Sequence, residues 1–473
     1  MGRQVIIVGG GLAGLACGVA LSDAGLRVTL IERERSLGGR ARSWTDPASG
    51  DTIDLGPHVV HSEYRNMLAF LERLGTRELI CWQPEKLITF SSGMMLRHRP
   101  LPPPFSLLPD MIAGSRLPAR DLWSNNRATW RALAFTEDDV PELDPVSAAD
   151  YLRAAGASEP MIDWFWSFIA LAIMNVPLER CSAAALLRVH SQLIGYRRLH
   201  FGFPALGLAE LFAPQAAQAI ERGGGRILLG TGVAAIERAS VVLRDGARIA
   251  GDQVVAALPP DALRELGLEV PPFEPSPYIS CYLWFDRKLG AERFWAQLGG
   301  LERLNTDFYD LANIRRGWSG RPSVIASNII YSHRAHGLSD AEIVAATQRE
   351  IARFIPAAAA ARVVQAAVNR IPMAITCPLP GAETARPAAN ALPGLWLAGD
   401  WTRTGLPSSM ESAVRSGRLA AEEVLRAAGR PAQLALAPRP TEGLARFARL
   451  LSRRAAPARA SRTPPRARPS PRP

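Results

Sequence analysis

Residues 4 to 8, Gln-Val-Ile-Ile-Val, form a β-branched apolar run with no polar alternation, which predicts a strand buried on both faces. A glycine cluster, Gly9-Gly10-Gly11-Leu12-Ala13-Gly14, comes directly after it, and apolar positions then recur at helical spacing from Leu12 to Ala24. A second buried strand, Arg27-Val28-Thr29-Leu30-Ile31, ends in Glu32. Strand, tight turn, helix and strand in this order predict an α/β Rossmann-type unit. Further apolar strands are expected at Arg226–Val233, at Val254–Leu258 before Pro259-Pro260, and at Leu395–Ala398. Between them, Pro100-Leu101-Pro102-Pro103-Pro104-Phe105 predicts a loop, and Trp164, Phe165, Trp166, Phe168, Ile169, Leu171 and Ile173 predict a large apolar cluster on a helix.

The glycine positions carry chemistry as well as geometry. Gly9 permits the turn, Gly11 lets backbone approach a pyrophosphate, and Gly14 lets helix and strand pack closely. The helix start at Leu12 and Ala13 offers free N–H groups and positive dipole to phosphate, so no cation is needed there. Glu32 lies about twenty residues further on, where a carboxylate binds a ribose 2′-hydroxyl and disfavours a 2′-phosphate. A dinucleotide cofactor other than NADP is the expectation.

The turn after Glu32, Arg33-Glu34-Arg35-Ser36-Leu37-Gly38-Gly39-Arg40, resembles the flavin-containing amine oxidase and phytoene desaturase superfamily, in which this turn meets the FAD diphosphate. The resemblance extends through Arg226–Val233, Val254–Pro260 and Gly394–Val414. It implies FAD as cofactor, with contacts from Gly9, Gly11, Leu12, Ala13, Gly14, Glu32, Arg33, Gly39 and Arg40. It adds Gly56, Pro57 and His58 beneath the isoalloxazine, the Val233 backbone at adenine, Gly399 and Asp400 at the ribityl and diphosphate region, and Met410 beside the flavin O2 side. Within the superfamily the chain is most similar to the squalene-associated FAD-dependent desaturases, which include hydroxysqualene dehydroxylase. That similarity rests on Asp54–Val60 with Tyr64-Arg65, on Leu283–Arg287 and on Gly399–Gly417. The dehydroxylases more often read Asn-Gly-Gln-His where this chain has Leu55-Gly56-Pro57-His58.

The implied fold is α/β, a Rossmann-type FAD-binding domain with an interleaved α+β substrate domain. Residues 1–60, 206–262 and 389–428 are assigned to the first and 61–205 and 263–388 to the second. The implied activity is hydride transfer between flavin and an apolar isoprenoid, which the greasy cluster around Trp164 suits. Amine oxidation is the alternative. Many amine oxidases use a lysine linked through water to flavin N5, and this chain holds only Lys86 and Lys288. The Rab GDP-dissociation inhibitors, prenyl binders of similar fold, are a second alternative, but they lack the flavin motif of Gly399–Val414. His58 is the catalytic candidate, as proton donor to a leaving hydroxyl, or else a turn histidine holding a backbone carbonyl; His61 lies close by.

With 473 residues, of which 48% are hydrophobic, the chain can fill two cores. Five unpaired cysteines, no metal-like spacing, no run of about 18 apolar residues and a first strand at the very start point to a cytoplasmic protein without bound metal. The net charge of +11 is local, since nine arginines and no acid lie beyond Glu442. Residues 429–473 are therefore expected to be a disordered basic Pro/Ala/Arg-rich tail, able to touch anionic membrane, with no nucleic-acid role.

Overall fold

The computed structural model describes residues 4–455, with side chains through residue 450. Two sheets organise it. The first is five-stranded and parallel, in the order Arg226–Leu228, Arg27–Ile31, Gln4–Val8, Gln253–Ala256, Trp396–Leu397. Its strands are buried as the apolar runs require, with Val5, Ile6 and Ile7 fully enclosed. The helices Leu12–Asp23 and Met410–Ala427 lie against each other on one face, where Leu15, Val19, Val414 and Ala421 share one core. The chain ends that supply the two glycine motifs are thus joined by packing.

The second sheet has seven strands, in the order Val363–Thr376, Pro275–Phe285, Val324–Ile330, Asp307–Asp310, Phe294–Ala296, Ile88–Phe90, Met95–Leu96. All pairings are antiparallel except that between Phe294–Ala296 and Ile88–Phe90. One face carries Ile279, Leu283, Phe308 and Ile329 into a dry core. The opposite face, with Tyr278, Asp307, Tyr309, Asn328 and Ile330, looks into a cavity roofed by the helical segment 108–194.

Two expectations are corrected. The strand expected over Arg226–Val233 breaks: Arg226–Leu228 stays in the parallel sheet, while Val233 opens a separate ribbon with Ser240–Leu243 and Arg248–Ala250. The reason is Gly230, whose φ of +63° turns the chain between the two. The tail is not disordered along its whole length. Leu434 and Ala435 donate to Glu422 at 2.6 and 2.8 Å, and a helix spans Gly443–Ala455. Composition alone missed this because the helix borrows its apolar partner: Ala445 is buried against Leu133 and Ile194. Residues 456–473, most of the basic stretch, lie outside the described residues.

Candidate flavin and substrate site

A single cavity of about 1010 Å³ runs from the glycine turns of the parallel sheet to the helical segment. Of the residues singled out from sequence, Gly9, Gly11, Leu12, Ala13, Glu32, Arg33, Gly39, Arg40, Gly56, Pro57, His58, Val233, Gly399, Asp400 and Met410 all line it. Gly14 sits behind the turn, where a Cβ would fall 2.0 Å from the Gly9 carbonyl oxygen, so its role is close packing.

The two N-terminal glycine turns are tied backbone to backbone, with Gly38 N–H donating to the Gly10 carbonyl at 2.9 Å. Gly11 caps the first helix without a side chain, and a Cβ built on it would meet only Gly39 Cα, at 3.9 Å. An open groove of bare backbone therefore faces the helix N-terminus, which is the form a diphosphate needs. Glu32 is buried at the strand end and accepts Gly10 N–H at 2.7 Å and Glu34 N–H at 3.0 Å. A carboxylate has about four acceptor sites, so two remain for ribose hydroxyls. Arg33 borders the cavity, but its side chain is largely solvated and pairs with Glu34 at 3.4 Å.

On the far side of the groove, Arg40 is ion-paired with Asp400 and donates to the Ala374 carbonyl at 2.8 Å. Asp400 comes directly after Gly399, whose N–H donates to Ser416 Oγ at 2.8 Å and which leaves no room for a Cβ beside the Trp401 indole. Arg40 thus bridges the N-terminal motif to the C-terminal one. Met410 begins the helix Met410–Ala427, capped by Ser409 Oγ accepting Ser412 N–H at 3.2 Å, so the positive helix end points into the cavity. The next side chain, Glu411, is buried and accepts Asn66 N–H at 2.9 Å and Met67 N–H at 2.7 Å, which locks this helix start to the helix Arg65–Leu74. Bare glycine groove, anion-favouring helix ends and a forked cation fit a bound FAD.

Gly56 passes so close to Tyr278 that a Cβ would lie 2.2 Å from its hydroxyl. His58 Nδ1 engages the Gly56 carbonyl at 2.7 Å, and burial lowers its pKa. This is the carbonyl-holding arrangement; the carbonyl contact favours the charged ring, but burial outweighs it and favours the neutral one. The His61 ring lies 3.9 Å from that of Tyr64, tilted against it, and its pKa is pushed down to about 3 by burial.

The cluster around Trp164 divides between core and cavity. Trp166 is fully buried beside a π-helical turn, Ile162–Trp166, while Phe165, Phe168, Ile169 and Ile173 line the cavity. Neither lysine borders it: Lys86 is held by Glu292 at 2.6 Å and Lys288 by Asp310 at 3.5 Å.

Two groups at this cavity were not foreseen. Asp307, Tyr309, Asn328 and Tyr278 cluster on its wall, and the i, i+2 spacing of Asp307 and Tyr309 on a buried strand is the signal that could have marked them. Phe105, Leu108, Trp123 and Trp130 both line the cavity and are exposed, Trp123 by 74%. Their signal is aromatic residues placed among Arg116, Arg120 and Arg127.

Comparison with known proteins agrees with this geometry. The chain is 26% identical to a 15-cis-phytoene desaturase of Synechococcus elongatus, covering 90% of this chain and 98% of that protein. It is 27% identical to a hydroxysqualene dehydroxylase of Sinorhizobium fredii, over 90% and 99% respectively. Among solved structures it shares its fold with putrescine oxidase, at a TM-score of 0.69, 17% identity and coverage of 90% and 99%. It likewise matches cyclohexylamine oxidase from Brevibacterium oxydans, at a TM-score of 0.65, 20% identity and coverage of 91% and 100%. Residues 12–425 match the family described as flavin containing amine oxidoreductase, and with nearly the whole cofactor cradle inside that span, this chain belongs to that family of FAD-dependent oxidoreductases.

Proposed function

We propose that this enzyme moves a hydride between its flavin and a carbon of an isoprenoid, as a hydroxysqualene dehydroxylase or a carotenoid or squalene-type desaturase. The observation that carries the reading is the cavity wall beyond the cofactor cradle, built from Phe90, Leu107, Phe165, Phe168, Ile169 and Phe294. Such a wall excludes water along a long hydrocarbon. The two lysines, each engaged outside the cavity, weigh against the amine oxidase alternative. The names of the desaturase and dehydroxylase relatives point the same way.

Bound flavin supplies the two-electron chemistry. The chain's own contribution is to orient and to desolvate. Met410 presents a positive helix end that would stabilise negative charge on a bound flavin, and the Gly56–His58 turn would help to hold its ring.

The exposed rim supports a second partner, an anionic lipid surface. Phe105, Leu108, Trp123 and Trp130 surround the cavity mouth, Arg116, Arg120 and Arg127 stand among them, and the only acids of segment 97–131, Asp110 and Asp121, are buried. The helix Gly443–Ala455, packed on Asn126–Ala134, adds exposed Phe447, Leu450 and Arg446. Apolar anchors flanked by cations are the composition of an interfacial membrane contact.

The test of the main reading is anaerobic. Purified enzyme is reduced with dithionite and mixed with hydroxysqualene, and the return of the oxidised flavin bands is tracked together with squalene formation. The desaturase arm mixes oxidised enzyme with phytoene and tracks bleaching. An enzyme inert in both arms that oxidises putrescine instead would overturn the reading.

A further inference from the structure

Among the polar side chains on the cavity wall, one group forms a connected, buried network. Asp307 and Tyr309 stand on the same face of the strand Asp307–Asp310, and Asp307 is directly opposite Asn328 on Val324–Ile330 and Ala296 on Phe294–Ala296. Asn328 Nδ2 donates to Asp307 Oδ1 at 2.7 Å, and the Tyr278 hydroxyl is hydrogen-bonded to Asn328 Oδ1. All four side chains line the cavity, and Asp307 and Asn328 are both more than nine-tenths buried. The strands are already held by their backbone ladder, so this network is not needed for register.

The network reaches the cofactor side of the cavity. Tyr278 is the residue against which Gly56 packs, and Gly56 begins the turn that carries His58. The chain Tyr278, Asn328, Asp307 therefore runs from the turn beside the cofactor cradle along the substrate wall.

We propose that Asp307, oriented by Asn328, Tyr278 and Tyr309, is the hydroxyl-binding subsite of this cavity and the proton donor to a departing substrate oxygen. The inference rests on the isoprenoid reading and selects its dehydroxylating direction. Asp307 is suited to hold a proton. The titratable groups facing it are Tyr309 from its own strand and Tyr278 from Pro275–Phe285, with Asp54 and Tyr282 beyond, and among the described residues no cation contributes to its environment. Burial without a counter-ion raises its pKa to about 7, although Tyr309 and Asn328 hydrogen-bond to it. His58, nearer the cofactor turn, is instead pushed toward its neutral form.

In the step, the Asp307 proton passes to the hydroxyl oxygen of the substrate, the C–O bond breaks with its electron pair going to oxygen, and water departs. The carbon so exposed receives a hydride with its electron pair from reduced flavin, which the family's redox activity supplies. Asp307 is left as carboxylate and regains a proton from solvent. A neutral carboxylic acid also explains how a hydroxyl is recognised in a greasy cavity: it donates to the oxygen, and unlike an ionised pair it needs no buried counter-ion.

The experiment compares wild type with Asp307→Asn, which keeps the shape and cannot give up a proton. Both are first checked for the flavin spectrum of the holoenzyme. Oxidised holoenzyme is then titrated with squalene and with hydroxysqualene, reading perturbation of the flavin bands. The wild type is expected to bind the alcohol more tightly than the hydrocarbon, and the variant to lose that preference while keeping its affinity for squalene. In single turnover of dithionite-reduced enzyme with hydroxysqualene, the wild-type rate is expected to fall about tenfold per pH unit above about 7. The variant rate is expected to be about a hundredfold lower or less, and flat with pH.

A wild type without alcohol preference, or a variant with the wild-type preference or pH profile, overturns the subsite. If the wild type turns over no hydroxysqualene, the functional reading fails by itself, and the binding arm still decides whether Asp307 recognises a hydroxyl. Should the variant fail to hold FAD, the infrared carboxylic acid band of the wild-type holoenzyme serves instead; a band that does not disappear as pH rises through about 7 refutes the assignment.

Discussion

Gly417 lies in the middle of the helix Met410–Ala427, where intrinsic propensity favours alanine by about 1 kcal/mol. The tertiary structure reverses that sign. A Cβ at Gly417 would stand 2.2 Å from the Ala13 carbonyl oxygen and 3.0 Å from Cys17 N. Both are backbone atoms of the helix Leu12–Asp23, and neither can rotate aside. Ordinary contact needs about 3.5 Å, so the two helices must part by roughly 1 Å. Overpacking of this kind costs up to about 3 kcal/mol, which leaves a net loss of about 2 kcal/mol after the propensity gain. That is a factor of about 30 in the folding equilibrium.

The consequence is functional as well, because the N-terminus of one helix carries the Gly9–Gly14 turn and that of the other begins at Met410. Parting the helices widens the cradle that these ends form. Gly417→Ala is expected to lower the calorimetric midpoint by a few degrees and to purify with less FAD, read from the ratio of flavin to protein absorbance. The control is Gly337→Ala, where a Cβ would meet nothing within 4 Å and which should stay within about 0.5 kcal/mol of wild type. A Gly417→Ala protein with a higher midpoint and full flavin content would refute this close helix crossing.

Three further outcomes are expected. Asp54 pairs with Arg315 at 2.6 Å in a nearly dry environment and also accepts Leu208 N–H at 2.7 Å, so Asp54→Ala should cost about 3–5 kcal/mol by urea unfolding; a loss under about 1 kcal/mol would mean that Arg315 finds another partner. Burial lifts Asp307 from 3.8 to about 7, so between those values the native state binds more protons than the unfolded chain, and this residue's effect is a loss of stability as pH rises through that window, level above it. Asp307→Asn should therefore gain on wild type, by an amount on the order of 4 kcal/mol, between about pH 4 and pH 8 in paired denaturation curves, and parallel curves would contradict the raised pKa. Trp123→Ser combined with Trp130→Ser should weaken cosedimentation with anionic vesicles about tenfold or more, since each exposed ring offers on the order of 2 kcal/mol of apolar burial; equal binding would move the membrane contact elsewhere.

Where function depended on local backbone, the sequence was readable. The turns at Gly9–Gly14 and Gly38–Gly39, and the helix start at Met410, are short stretches whose glycine geometry or free N–H groups dictate what they can bind. Asp400 beside Arg40 was legible only as two separate motifs, and their meeting across 360 residues needed the fold. The tail marks the limit of composition: helix Gly443–Ala455 is too short to be stable alone, and it packs against Leu133 and Ile194, which provide the other half of its interface.

The strand–turn–helix cradle and, through the resemblance to known flavoproteins, the cofactor were legible in the residues alone, because these depend on contacts between near neighbours and on glycines whose conformations other residues rarely adopt. Which faces of the seven-stranded sheet meet solvent, core or cavity was settled by the packing of distant segments. A buried strand that reads Asp-Phe-Tyr-Asp has no label for its inner face until the strands beside it are in place. That placement put Asp307 opposite Asn328 and, among the described residues, away from any cation, and with it the desolvation that raises its pKa.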